Sequence, residues 1–150
     1  KALLTFHGQR QQMYVLKSCT LIDDTYNASP DSMKASVSVL SSMEDVKGRR
    51  IAALADMLEL GEKEREYHYE VGKFIAGTRV DEVVAYGELS EEILKGVEDN
   101  SGRIVVKHFD TRDALKNYLL TYVHPDDVLL LKASNGMKLK EIADAFLQNK

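Results

Sequence analysis

Ile51-Ala52-Ala53-Leu54-Ala55 decides how this chain is read. Five consecutive apolar residues leave no polar side chain for water on either side, the pattern of a strand covered on both faces. Such a strand needs helices above and below it, and the flanking sequence supplies them. Upstream, Asn27-Ala28-Ser29-Pro30-Asp31 reads as a helix start, with Ser29 as the cap and Pro30 in the first turn, where a missing N–H costs nothing. Met33, Val37, Leu40 and Met43 stripe that helix, and Lys47-Gly48 is its expected stop. Downstream, residues 56–61 form a loop that opens into a helix over about 62–76, with Tyr67, Val71, Phe74 and Ile75 on one side.

The alternation continues in both directions. Strands are expected at 11–16, 20–23, 82–86, 103–106 and 127–131. Gly87 breaks the third of these, and Ser90 caps a short helix reaching Val97. Asp110 or Thr111 caps a helix whose Ala114, Leu115, Tyr118, Leu119 and Tyr122 face inward, and Leu139, Ile142, Ala143 and Phe146 stripe the last one. Strand and helix in turn over the whole length predict an α/β fold: a three-layer, Rossmann-like domain, its mostly parallel sheet of about six strands flanked by helices on both faces.

Composition narrows the function classes. A chain of 150 residues, 44% hydrophobic, buries a sizeable core without a metal or disulfide. Cys19 is the only cysteine, so no internal disulfide forms, and a reducing, cytoplasmic setting is expected. The net charge of −4 argues against a nucleic-acid partner. No apolar stretch approaches the ~20 residues of a membrane span, and no signal-peptide pattern opens the chain. Lys1 stands where an initiator Met would, which carries the expectation that polypeptide upstream has been removed.

In an open parallel sheet, ligands bind beyond the carboxyl ends of the strands. That rule selects residues 23–29, 56–61 and 132–137. In the first loop, Asp23 and Asp24 are adjacent, so they point to opposite faces, one toward a ligand and the other serving the loop. A carboxylate can accept both hydroxyls of a ribose, and the Tyr26 ring can flank a base. The same residues read equally well as an Asx turn that only caps a helix. The second loop sets Asp56 and Glu59 among Met57, Leu58 and Leu60, either a surface that closes on something or a plug under the sheet end. The third, Lys132-Ala133-Ser134-Asn135-Gly136-Met137-Lys138, precedes a helix amino terminus that can take an anion. It lacks the spacing of a phosphate cradle, as does the rest of the chain, so a triphosphate would have to be held by another domain. Glu64 and His68 share a helix face without a third ligand, a surface pair and not a metal site. His7, His108 and His124 are scattered, with no nucleophile beside them.

At these three loops the sequence resembles the third domain of the Mur ligases. The resemblance is carried by Leu21-Ile22-Asp23-Asp24-Thr25-Tyr26-Asn27-Ala28-Ser29-Pro30-Asp31-Ser32-Met33, by Ala55-Asp56-Met57-Leu58-Glu59-Leu60-Gly61 with His68 and Val71-Gly72 following, and by residues 132–138. The family usually has Gly at Ala55, Asn at Ser29 and Gly-Ser-Arg-Gly over residues 133–136. The nearest branch adds D-alanyl-D-alanine to a UDP-N-acetylmuramoyl (UDP-MurNAc) tripeptide in peptidoglycan synthesis. The resemblance implies a cytoplasmic three-domain ligase in which ATP phosphorylates the peptide's terminal carboxylate and the dipeptide amine attacks the acyl phosphate. ATP and Mg²⁺ would be bound mainly by a central domain missing from this chain, and the sugar-peptide by an amino-terminal one. Residues 1–16 would be a hinge-proximal lead-in with room for an edge strand, and 17–150 the third domain proper. By matched position, Arg10 would reach the nucleotide phosphates, Asp24 the ribose hydroxyls, and Tyr26 and Asn27 would line the nucleotide cleft. Asp56, Glu59, Ser134 and Asn135 would border the dipeptide amine. No catalytic residue falls within the chain, so it is expected to be inactive alone. Two rivals are a phosphorelay receiver, whose acidic pair, Asp and Lys are mimicked by Asp23, Asp24, Asp56 and Lys132, and a non-catalytic adaptor.

Overall fold

The computed structural model describes residues 3–6 and 11–148, and for 3–6 the backbone only. Seven strands form one sheet: β1 (Leu3–Phe6), β2 (Gln11–Val15), β3 (Thr20–Asp24), β4 (Arg50–Ala55), β5 (Glu82–Tyr86), β6 (Val105–Phe109) and β7 (Val128–Lys132). Five helices are interleaved: α1 (Pro30–Ser42), α2 (Glu64–Ala76), α3 (Ser90–Asn100), α4 (Arg112–Tyr122) and α5 (Lys140–Gln148). The order across the sheet is β1-β2-β3-β7-β4-β5-β6. From β3 to β6 every pairing is parallel, whereas β1 and β2 are antiparallel additions. The sheet therefore has seven strands where about six were expected, because a strand also forms ahead of Gln11.

Side-chain alternation along the buried strands divides the apolar interior into two layers. Ile22, Ala52, Leu54, Val83, Ala85 and Leu130 pack under α1, α2 and α3. Their neighbours Leu21, Ile51, Ala53, Val84, Leu129 and Leu131 pack under α4 and α5. Right-handed crossovers account for the division. The steps β3→β4→β5→β6 run one way along the sheet and keep their helices on one face. The step back from β6 to β7 puts α4 on the other face.

Several local expectations shift. Helix α1 ends at Ser42, ahead of Lys47-Gly48, where Met43 turns extended and the Arg50 guanidinium satisfies the terminal carbonyls: its Nε and Nη2 donate to Leu40 (3.2 Å) and Met43 (2.6 Å). Strand β6 sits two residues later than expected, and its pairing follows Glu82↔Val105. Tyr67, Phe74 and Ala114 lie on exposed faces, not inward. Gly72 and Gly96 face each other where α2 crosses α3, and their missing side chains let the two backbones touch.

At the amino edge of the sheet, Asp127 is buried and its carboxylate is fully engaged. It accepts from the backbone N–H groups of Arg49 (2.7 Å) and His124 (2.8 Å) and from the Arg49 guanidinium (2.7 and 3.3 Å). That guanidinium also lies 4.1 Å from the Tyr122 ring centroid. Nearby, the buried Glu82 carboxylate accepts from the hydroxyls of Tyr118 (2.9 Å) and Tyr122 (2.6 Å); burial and then this bond raise the Tyr118 phenol above its ordinary range, and the bond and then burial raise that of Tyr122. Burial pushes the Cys19 thiol up to about 12, leaving it inert as a nucleophile.

Candidate active-site cleft

Strands β3, β7 and β4 are neighbours, and their carboxyl ends bring the three selected loops together. Asp24 pairs in register with Lys132, and Lys132 with Leu54. The loops after β3 and β4 leave toward α1 and α2, while the chain after β7 leaves toward α5. Opposite departures open a crevice beside β7, the topological switch point of the sheet.

The adjacent carboxylates do face opposite ways. Asp23 accepts from Thr25 Oγ1 (2.7 Å) and N (3.3 Å) and pairs with Lys140 Nζ of α5 (3.2 Å). Burial opposes the Lys140 charge, but Asp23 and Asp144 outweigh it and hold the ammonium above its ordinary range. Asp24 turns to the α1 side, at 6% exposure. Its Oδ2 accepts from Ser36 Oγ and from Gln11 Nε2 (3.1 Å) and lies 3.1 Å from Lys132 Nζ. Lys132, at 3% exposure, also donates to the Asn27 carbonyl at 2.8 Å. Ser29 caps α1 reciprocally: its Oγ accepts from Ser32 N (3.1 Å) while Ser32 Oγ accepts from Ser29 N (2.8 Å). The result is a cleft of about 240 Å³ with Asp24, Gln11, Ser36 and Lys132 at its floor and Tyr26, Asn27 and Ser29 at its rim. Tyr26 is half exposed at the mouth.

Gln11, Ser36 and Lys132 were not among the expected site residues. Gln11 reaches the carboxyl end only because β2 runs antiparallel to β3, placing its first residue beside the last of β3. Ser36 is nearly two turns inside α1. Arg10 and His7 lie outside the described residues.

On the β4 side the expectations need correction. Asp56 is not turned to the cleft: it is buried, and its carboxylate accepts from Ser90 N (2.7 Å), Ser90 Oγ (2.8 Å) and Leu89 N (3.2 Å), capping α3. Gly87, at φ +116°, passes so close that any Cβ would strike that carboxylate. His68 is not on the surface either. It is fully buried, donates from Nδ1 to the Glu64 carbonyl (2.6 Å) and accepts at Nε2 from Met57 N (2.9 Å). Ser134 Oγ accepts from Leu58 N (2.9 Å), and Ser134 N donates to the Asp56 carbonyl (3.2 Å). The loop is thus gripped at successive peptides, and Glu59, at φ +63°, is exposed, as is Asn135. Among the described residues no group of three or more His, Cys, Asp or Glu side chains converges to hold a metal.

His68→Phe keeps the bulk but strips the Met57 N–H of its acceptor. It is expected to cost about 1–3 kcal/mol, the penalty of an unsatisfied buried donor. Hydrogen exchange at Met57 and Leu58 should accelerate while α4 is unaffected.

The family described as Mur ligase, glutamate ligase domain, matches residues 9–135. The chain belongs to this family. It is 36% identical to the UDP-N-acetylmuramoyl-tripeptide–D-alanyl-D-alanine ligase of Bacillus subtilis (strain 168), over 87% of this chain and 28% of that protein. To the ligase of the same description from Haemophilus influenzae it is 33% identical, over 90% of this chain and 29% of that protein. The chain therefore spans less than a third of these relatives. The crystal structure of MurF ligase from Thermotoga maritima in complex with ADP superposes with a TM-score of 0.73 at 28% identity, over 97% of this chain and 32% of that one. A MurF structure from Acinetobacter baumannii has the same fold, with a TM-score of 0.78 at 23% identity, over 97% of this chain and 31% of that one. The family match displaces the receiver reading, and the geometry agrees: an Asp56 carboxylate spent on the α3 amino terminus is not presented as a phosphoacceptor.

Proposed function

We propose that this Mur ligase domain supplies the nucleotide and dipeptide contacts of an ATP-dependent ligase that joins D-alanyl-D-alanine to a UDP-MurNAc-tripeptide in the cytoplasm. The observation that carries the reading is Asp24, an oriented carboxylate paired with Lys132 at the floor of a cleft whose rim holds Tyr26 and Asn27. The relatives' descriptions and the ADP in the Thermotoga structure support it.

In this reading Asp24 accepts from ribose hydroxyls, Tyr26 flanks the base and Asn27 lines the cleft, with Arg10 reaching toward phosphates. Glu59, Ser134 and Asn135 border the dipeptide amine. Asp56 keeps a positioning role there, fixing the start of the Glu59 loop through its hold on α3. The donor set of the cleft does not fit Mg²⁺: its one buried carboxylate is already neutralised by an ammonium, and no step is routed through a metal here. Mg²⁺ and the triphosphate fall to the central domain of the full enzyme. Residues 1–16 serve as the lead-in from that domain, and residues 17–150 form the third domain. Holding amine and activated carboxylate together can remove roughly 7–11 kcal/mol of barrier, but only when all partners are held at once. The chain alone is accordingly inactive.

Titrating ADP into the chain is expected to shift the amide resonances of Asp24, Tyr26 and Asn27. Asp24→Asn, which removes the charge on the acceptor, is expected to weaken ADP by roughly tenfold or more, as for hydrogen bonds to a charged group. Unmoved resonances in this loop, or equal affinity in the variant, would refute the nucleotide role.

A further inference from the structure

We infer that Lys132 is a positioning residue through which occupancy of the nucleotide cleft is felt at the loop carrying Leu58 and Glu59. The inference rests on the nucleotide reading of the cleft and extends it to a coupling between two subsites.

The path is continuous. Lys132 closes β7, and its ammonium bonds to both sides of the β3 loop: Asp24 Oδ2 at 3.1 Å and the Asn27 carbonyl at 2.8 Å. Two residues further along the same backbone, Ser134 holds the β4 loop through Leu58 N–H and the Asp56 carbonyl. Leu58 is in turn seated against Gly136, where a Cβ would come within 2.8 Å of its Cδ1. No other side chain among the described residues bonds to both the Asp24 carboxylate and the Asn27 backbone. The floor also has an unspent acceptor. Gln11 donates its amide to Asp24 and Ser36, but its buried Oε1 has no hydrogen-bond partner among the described residues.

A hydroxyl donor arriving at the floor competes for Asp24 Oδ2, which already serves Gln11, Ser36 and Lys132. A ligand drawing on Asp24 must then redistribute the bonds of Lys132. In a close-packed strand end, that redistribution moves Ser134 and with it the Leu58 peptide. Coupling of this kind is reciprocal: a ligand beside Glu59 would alter nucleotide affinity by the same factor.

The test uses ADP as the probe and amide spectra of this chain, wild type, Lys132→Met, and the double variant Asp24→Asn with Lys132→Met. The double variant removes both charges together and keeps the fold should the single change leave Asp24 buried and uncompensated. In the wild type, ADP is expected to shift Tyr26 and Asn27 and also Leu58 and Glu59. In whichever variant folds, the Leu58 and Glu59 shifts should fall at least fivefold while those of Tyr26 and Asn27 persist, each variant being compared at its own saturating ADP concentration because Asp24→Asn by itself weakens ADP. Persistence of the Leu58 and Glu59 shifts, or their absence from the wild type while Tyr26 responds, overturns the coupling and leaves the nucleotide reading intact. No response at Tyr26 and Asn27 in the wild type overturns both.

Discussion

Asp127→Ala is expected to lower the unfolding free energy by about 2–4 kcal/mol, the penalty for stranding two backbone N–H donors, since Arg49 is 30% exposed and regains water. At roughly 2–4 °C per kcal/mol for a domain of this size, the melting temperature should drop by about 10 °C. The loss is large because one carboxylate satisfies two backbone N–H groups and a guanidinium at once. Gly48 closes the same corner: its N–H donates to Asp126, and a Cβ there would lie 2.5 Å from Asp127 Oδ1. Burial alone would raise the Asp127 pKa, but the Arg49 side chain and the backbone donors outweigh it and hold the carboxyl below its ordinary 3.8. A depressed pKa in the folded state gives stability that is present above pH 3.8 and is lost as pH falls through the folded value. Acid unfolding followed by circular dichroism should therefore be less steep below pH 4 in the variant. An unchanged melting temperature would show that the clamp contributes nothing.

Gly72→Ala should be comparably damaging, against the usual sign. In an exposed helix the replacement stabilises by roughly 0.5–1 kcal/mol. Here the new methyl would sit 1.9 Å from the Ile93 carbonyl oxygen and 3.0 Å from Val97 N, both main-chain atoms of a packed helix. Neither can swing aside, so α2 and α3 must separate. A cost of about 3 kcal/mol or more is expected, at the upper end for overpacking. Gly96→Ala would press on the Tyr69 carbonyl from the other side. Gly102, with open space around it, is the control, and Gly102→Ala should be neutral in urea denaturation.

Parts of this architecture are plain in the chain itself, for physical reasons. Ile51-Ala52-Ala53-Leu54 cannot be solvated on either face, so helices on both sides of the sheet follow. Asp23 and Asp24 cannot share a face, and they diverge to Lys140 and Lys132 as strand geometry requires. What stays hidden depends on partners distant along the chain. Asp56 is captured by Leu89 and Ser90, more than thirty residues on, so its loop position alone makes it look ligand-facing. His68, four residues from Glu64, has the spacing of a surface pair, yet its ring bonds to the Glu64 backbone and to a peptide of the preceding loop. Gln11 joins the cleft only through an antiparallel pairing that no periodicity within residues 11–16 reveals. Tyr67 and Phe74 lie at helical spacing from Val71 and Ile75, but the buried stripe is narrower than the apolar one.

The partition of the apolar interior by the sheet also bears on how such a domain tolerates change. Strand backbones stand as a wall between the α1–α3 half and the α4–α5 half, so a void opened on one side cannot be refilled from the other. Substitutions can accumulate in the α4–α5 half and be compensated there, without disturbing the wall's opposite surface on which α1 and the Asp24 cleft are built.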